Sequence, residues 1–140
     1  MALTVLVTED DLAALAELSR GLRDAGHQVI TARDGLAALE QVLTAPPDVV
    51  LADVALPRMN GFQLCRRLRD GGATARVPVV LMSDSVTAAD HYWATQVGAR
   101  ALDMRAVRHG GNTGRDRRRV HIERTADAVQ RIDDVGRAVQ

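Results

Sequence analysis

Residues 48–53, Asp48-Val49-Val50-Leu51-Ala52-Asp53, decide the fold. Their four consecutive apolar residues lie between carboxylates, which is typical of a strand buried on both faces of a parallel sheet. Similar apolar runs occur at residues 3–7, 27–31, 77–82 and 99–104, and segments with helical period separate them. This alternation predicts an α/β fold, a flavodoxin-like doubly wound five-stranded parallel sheet with helices on both faces.

Capping residues mark the boundaries of the predicted helices. Asp11, Asp34 and Asn60 each stand where an N-cap is needed, and Gly26 and Gly98 stand where a helix should end. We expect a core over residues 1–107, a Gly- and Arg-rich loop over residues 108–119, and a fifth helix over residues 120–140. These segments predict a single domain.

The composition is that of an ordinary globular protein, with 46% hydrophobic residues, 26% charged residues and a formal net charge of +0. With no net charge, the protein as a whole is not attracted electrostatically to nucleic acid or to an anionic membrane. The one cysteine, Cys65, cannot form an intramolecular disulfide, which fits a reducing compartment. Because the N-terminal residues carry neither a signal-peptide pattern nor a long apolar run, we expect a cytoplasmic protein without a membrane partner.

Polar side chains follow four of the predicted strands at their ends. Glu9 and Asp10 follow the first strand, Asp53 the third, Ser83 the fourth and Arg105 the fifth. The carboxyl ends of strands in a doubly wound sheet lie along one edge, so we expect these side chains to lie close together. Three carboxylates in one pocket repel each other, and a divalent cation is the simplest compensation.

Magnesium fits this set because it prefers oxygen ligands and keeps several waters. Asp10 and Asp53 are the expected direct ligands, Glu9 is expected to hold a water, and the backbone carbonyl of Ala55 is a plausible further ligand. A carboxylate at such a site can attack phosphorus and form an aspartyl phosphate. Helix capping by the acids at residues 9–11 and a solvated turn carboxylate at Asp53 are the alternatives, but their joint placement favours a site.

Two further side chains are suited to binding the phosphoryl group. The Ser83 hydroxyl can donate a hydrogen bond to one phosphoryl oxygen, and Arg105 can pair with another. A phosphoryl group adds about −1.5 to −2 charges, which can draw Ser83 and its loop inward.

The chain resembles the receiver domain of two-component response regulators from about residue 3 to residue 107. The resemblance lies in an ordered set of motifs: Val-Thr-Glu-Asp-Asp at residues 7–11, Asp-Val-Ala-Leu-Pro-Arg-Met-Asn-Gly at residues 53–61, Val-Pro-Val-Val-Leu-Met-Ser at residues 77–83, and Gly-Ala at residues 98–99. It implies that Asp53 is the phosphoacceptor, that Glu9 and Asp10 hold magnesium, and that Ser83 is the switch hydroxyl. The implied phosphodonor is a histidine kinase or a histidine phosphotransfer protein.

This sequence departs from that pattern after the fifth predicted strand. Arg105-Ala106-Val107 stands where the family usually has Lys-Pro and an aromatic residue, and Leu102 stands where it commonly has tyrosine or phenylalanine. Two hypotheses follow. The first is a stand-alone, chemotaxis-type single-domain receiver without an output domain, a signalling protein and not a metabolic enzyme. The second is a degenerate receiver that acts as a phosphorylation-independent interaction module.

The predicted fourth helix carries His91, Tyr92 and Trp93, and aromatic side chains concentrate in protein interfaces. Trp93 alternatively belongs to the core, because it shares a helical stripe with Val97. Receivers commonly signal through the face of the fourth helix, fifth strand and fifth helix, so we expect a downstream protein or a second copy there. The fifth helix is expected to pack on its own chain, with exchange between two copies as the alternative, and the basic run at residues 115–119 as a solvated loop.

Overall fold

The computed structural model describes residues 2–83, 88–99, 101–104 and 114–138, and it describes the backbone alone at residues 91, 101–104 and 114–124. Strands and helices alternate along the chain. In order they are β1 (Thr4–Thr8), α1 (Leu12–Asp24), β2 (Gln28–Ala32), α2 (Gly35–Thr44), β3 (Val49–Asp53), α3 (Gly61–Asp70), a short 3₁₀ turn (Gly72–Thr74), β4 (Val79–Ser83), α4 (Ala88–Gln96), β5 (Ala101–Met104) and α5 (Gly114–Ala138).

The strands form one parallel sheet with the order β2-β1-β3-β4-β5. The predicted five-stranded, doubly wound fold is therefore confirmed. The strand order reverses between β1 and β3, and ligands in such sheets bind at the carboxyl ends of the strands beside this point. Thr8 of β1 lies opposite Ala52 of β3, so the residues that follow them are also neighbours.

Apolar side chains pack on both faces of the sheet. On one face the core joins α2, α3 and α4 to the sheet, with Leu39, Leu64 and Val97 among its buried residues. On the other face it joins α1 and α5, with Leu18 and Ile132 buried. As expected, α5 packs against α1 and the sheet of its own chain. None of the helices in the described ranges is long and apolar enough to cross a membrane.

The three predicted N-caps are confirmed, and one helix boundary is wrong. The side chains of Asp11, Asp34 and Asn60 accept backbone N–H bonds at the starts of α1, α2 and α3, and Asn60 forms a capping box with Gln63. The helix expected from residue 120 begins instead at Gly114. Arginine is a good helix former, so the basic run at residues 115–119 is helical rather than a loop.

Candidate functional site

Two carboxylates lie at the point where the strand order reverses. Glu9 follows β1 and Asp53 ends β3, and they come directly after the paired residues Thr8 and Ala52. Both side chains are buried, with 3% and 6% of their surface exposed. Burying a carboxylate is costly unless a hydrogen bond or a cation compensates for the lost hydration. The expected meeting of Glu9 and Asp53 at one edge of the sheet is therefore observed.

The backbone around Asp53 holds its side chain in place. The Ala55 N–H donates to Asp53 Oδ1 at 2.8 Å, and the Val54 N–H donates to the Met82 carbonyl at 2.8 Å. The Gly61 N–H closes the base of the loop by donating to the Val54 carbonyl at 3.0 Å. A Cβ at Gly61 would lie 2.6 Å from the Asp53 carbonyl oxygen, so only glycine permits this close approach. The start of α3 is thereby packed directly on the peptide of Asp53.

Glu9, Asp10 and Asp11 have different environments although they are consecutive. The Glu9 N–H donates to the Ala32 carbonyl at 3.1 Å, and Glu9 Oε1 accepts from the Asp11 N–H at 3.4 Å. Asp10 is exposed at the rim, and its carbonyl accepts from the Arg33 guanidinium at 3.5 Å. Asp11 caps α1. Of the three acids, Glu9 is therefore the one buried beside Asp53.

The donor set at this edge fits a hard cation. The expected pocket of three carboxylates, Glu9, Asp10 and Asp53, is not found: within the described ranges, no three His, Cys, Asp or Glu side chains are grouped so that they could hold a metal ion. The predicted magnesium site needs only two direct carboxylates, Asp10 and Asp53, because magnesium keeps several waters. Glu9 and the backbone carbonyl of Ala55 would add further oxygen atoms to this set. The residues present are thus of the right chemistry for magnesium at the strand ends.

Ser83, whose hydroxyl is predicted to bind the phosphoryl group, also lies at this edge of the sheet. It ends β4 and is buried, with 9% of its surface exposed. It directly follows Met82, which is paired with Asp53, so the hydroxyl and the carboxylate lie on neighbouring strand ends. Leu102 lies within β5, where only the backbone is described, and Arg105 lies outside the described residues.

Two residues of the site were missed in the sequence. Gly35 begins α2, and its N–H donates to the carbonyl of Pro57 in the loop between β3 and α3 at 3.4 Å. Arg58, in the same loop, has a positive φ of 66° and lies 3.6 Å from the Asp34 carboxylate. The sequence did contain a signal for Gly35, which is an aspartate N-cap followed by glycine. A residue without a Cβ at the first helical position indicates that another part of the backbone approaches closely.

The predicted aromatic surface on α4 is exposed. Tyr92 and Trp93 are 58% and 51% exposed, and their rings meet edge to face with centroids 5.5 Å apart. The alternative that Trp93 belongs to the core is therefore wrong. Ala94 on α4 is buried, and so is Val97, which directly follows the end of the helix. The side chain of His91 lies outside the described part of the chain.

A family model for the response regulator receiver domain matches residues 5–102 of this chain. The matched range begins inside β1 and ends inside β5, and it contains Glu9, Asp10, Asp53 and Ser83.

Individual proteins give the same picture. The chain is 38% identical over 87 residues to "Response regulator MprA" of Mycobacterium ulcerans, a match that covers 62% of this chain and only 38% of that relative. Its fold is similar to that of a putative response regulator from Chloroflexus aurantiacus, with a TM-score of 0.78, 24% identity, and coverage of 96% of this chain and 98% of that one. It is also similar to the Mn²⁺-bound form of response regulator Rcp1, with a TM-score of 0.70, 22% identity, and coverage of 76% and 84%.

Proposed function

This chain belongs to the response regulator receiver domain family, and from that premise we propose that it accepts a phosphoryl group on Asp53. The observation that carries the proposal is the buried carboxylate of Asp53 at the end of β3, beside buried Glu9 and next to the strand that ends in Ser83. Burying two acids close together at one edge of a sheet costs folding free energy, which favours a functional role for the pair.

The proposal includes a divalent metal, and magnesium is the ion that this oxygen-rich edge suits best. Asp10, Asp53 and the carbonyl of Ala55 would hold it, and Glu9 would hold one of its waters. When bound, magnesium supplies the positive charge that lets a carboxylate approach a phosphoryl group. The similar fold of Rcp1 in a Mn²⁺-bound form supports a divalent ion in a receiver of this shape.

Each residue of the site has a separate role in the proposed reaction. A carboxylate oxygen of Asp53 attacks phosphorus, a new O–P bond forms, and the bond from phosphorus to the donor atom breaks, so the electron pair leaves with the donor. The hydrogen bond from the Ala55 N–H orients the carboxylate for this attack. Ser83 then donates its hydroxyl proton in a hydrogen bond to a phosphoryl oxygen, and Arg105 pairs with another.

We propose a histidine kinase or a histidine phosphotransfer protein as the donor, with a downstream protein as the receiver of the signal. The chain would thus be a signalling protein rather than a metabolic enzyme. Exposed Tyr92 and Trp93 on α4 supply aromatic anchors for the downstream partner or for a second copy of the chain.

The proposal is tested with acetyl phosphate and intact-mass spectrometry. Wild-type protein incubated with acetyl phosphate and magnesium should gain one phosphoryl mass, and the gain should disappear with EDTA. Asp53→Ala should gain nothing. Asp70→Ala removes an exposed carboxylate at the end of α3 and should be labelled like the wild type.

The outcomes separate the two candidate functions. Labelling of the wild type and Asp70→Ala, but not of Asp53→Ala, supports the proposal. If the wild type gains no mass and binds no beryllofluoride, phosphoryl acceptance is overturned. The chain is then the phosphorylation-independent interaction module that residues 105–107 and Leu102 suggested.

A further inference from the structure

The loop that follows Asp53 rests on the first turn of α2. A Cβ built on Gly35 would lie 1.9 Å from the Met59 carbonyl oxygen and 2.7 Å from the Met59 carbonyl carbon. These are backbone atoms, so no side-chain rotation could make room for them. The Gly35 N–H donates to the Pro57 carbonyl at 3.4 Å, and the Asp34 carboxylate lies 3.6 Å from the Arg58 guanidinium.

The part of the loop that contacts α2 is a tight turn centred on Arg58. The Met59 N–H donates to the Pro57 carbonyl at 2.7 Å, and the residue between them has a positive φ of 66°. A hydrogen bond across one residue with positive φ is the geometry of a γ-turn, a strained arrangement for a residue with a side chain. Such strain persists only where the surroundings hold it in place, and the first turn of α2 is the surrounding element here.

The contact between Gly35 and Met59 is close along the chain to Asp53, the proposed nucleophile. Met59 is followed by Asn60, the N-cap of α3, and by Gly61, whose backbone packs on the Asp53 carbonyl. The Gly61 N–H also ties the end of the loop to Val54, the residue after Asp53. A displacement of Met59 would therefore act through Gly61 on the Asp53 carbonyl and on Val54.

We propose that the first turn of α2 positions the phosphoacceptor loop, with Gly35 and Arg58 as positioning residues for phosphoryl transfer to Asp53. This inference rests on the proposed function of Asp53. Neither residue touches the reacting atoms. Because Gly35 has no side chain, the loop between β3 and α3 can pack against the start of α2. The turn at Arg58 then sets the direction of the chain towards α3.

The test compares two glycine-to-alanine variants of the full chain by amide hydrogen exchange. Gly35→Ala presses on loop backbone, and we expect faster exchange at Ala55 and Gly61, whose N–H groups form the bonds beside Asp53. Gly136→Ala is the matched control on α5. Its added methyl meets Leu3 Cδ1 at 2.9 Å at the other end of the sheet, so Ala55 and Gly61 should stay protected.

Labelling by acetyl phosphate provides the second readout. Because a misplacement of about 1 Å can cost roughly 100-fold in rate, we expect Gly35→Ala to be labelled about 10- to 100-fold more slowly than the wild type. Gly136→Ala should keep the wild-type rate. In an Arg58→Gly background the turn is looser and accommodates the methyl, so Gly35→Ala should slow labelling by a smaller factor there.

Each outcome bears on one of the two proposals. If the wild type is not labelled, the proposed function fails, and exchange at Ala55 and Gly61 still decides the positioning role. Wild-type protection at both amides in Gly35→Ala overturns the positioning role. If Gly35→Ala does not fold, Arg58→Gly alone is measured. Faster exchange at Ala55 and Gly61 then supports the proposal, and unchanged exchange overturns it.

Discussion

The two ends of the sheet both bury polar side chains, but they use them differently. At the amino end, His27 Nδ1 accepts from the Leu3 N–H at 3.1 Å, and its Nε2 lies 2.8 Å from Asp133 on α5. At the carboxyl end, the side chains of Glu9 and Asp53 are both buried at the ends of neighbouring strands. The first arrangement links separate elements of the fold, whereas the second gathers carboxyl groups at one edge of the sheet.

Other polar side chains away from the site also bind backbone groups. Asp48 Oδ2 accepts from the Thr4 N–H at 2.7 Å. Arg69 donates to the carbonyls of Gly98, Ala75 and Val77 at 3.0, 3.2 and 2.7 Å, which joins α3 to the segment before β4 and to the residues that follow α4. The Cys65 thiol donates to the Val97 carbonyl at 3.2 Å. Pairing of this kind satisfies groups that would otherwise be buried at a cost.

The comparison therefore separates stability from function. Substitutions of His27, Cys65 and Arg69, which join separate elements of the fold, should lower the free energy of unfolding and leave phosphoryl acceptance in place. Substitutions among the acids at the carboxyl end should abolish phosphoryl acceptance and change the free energy of unfolding little, because sites often retain groups that folding would disfavour.

The largest expected loss of stability follows from His27→Ala. The change leaves the buried Leu3 N–H without its acceptor, removes the bond to Asp133 and creates a cavity. We expect the free energy of unfolding to fall by about 2 to 4 kcal/mol, measured by urea denaturation followed by circular dichroism.

Asp133→Asn is the matched control, because its side-chain oxygen can still accept from His27 Nε2. It should cost about 1 kcal/mol or less. At a temperature where His27→Ala is folded, the His27→Ala protein should still be labelled at Asp53. Loss of labelling in the folded variant would show that the two ends are not independent.

A smaller effect is expected from the buried thiol of Cys65. Burial raises the pKa of this thiol above its ordinary value near 9, and Arg69 opposes the shift only in part. The neutral thiol is favoured in the folded protein, so its contribution is complete below pH 9 and is lost as the pH rises and the unfolded thiol ionises. The loss by pH 10 is at most about 1.4 kcal/mol.

This pH dependence is measured as a difference between two proteins. Urea denaturation of the wild type and of Cys65→Ala at pH 7.5 and pH 10 cancels the titration of groups common to both. The wild type should lose more stability over this interval than the variant. Equal losses would mean that the thiol of Cys65 ionises as readily in the folded chain as in the unfolded one.

The features predicted correctly from the sequence depend on short-range patterns. The strand ending in Asp53 is a continuous apolar run, and the caps Asp11, Asp34 and Asn60 act on residues within the next turn. Because parallel strands align their carboxyl ends, the meeting of Glu9 and Asp53 followed from the order of elements alone.

The features that were missed depend on contacts between distant parts of the chain. His27 and Asp133 are separated by 106 positions, and no local pattern pairs them. The role of Gly35 depends on Met59 reaching the start of α2. Trp93 fits an apolar stripe in the sequence, yet its side chain is exposed, because the rotation of α4 on the sheet decides which of its side chains are buried. These features depend on tertiary contacts, which hydrophobic periodicity in the sequence does not predict.

The smallest expected effect on stability comes from Asp53→Asn, and it tests the comparison most directly. The asparagine oxygen can still accept from the Ala55 N–H, and the substitution removes one negative charge from beside Glu9. The free energy of unfolding should therefore stay within about 1 kcal/mol of the wild type, while labelling by acetyl phosphate disappears. Magnesium should stabilise the wild type more than the variant, since an ion that binds only the folded state raises its stability by mass action. A loss of several kcal/mol in Asp53→Asn would instead make this carboxylate a structural group like His27, and the two ends of the sheet would no longer differ in kind.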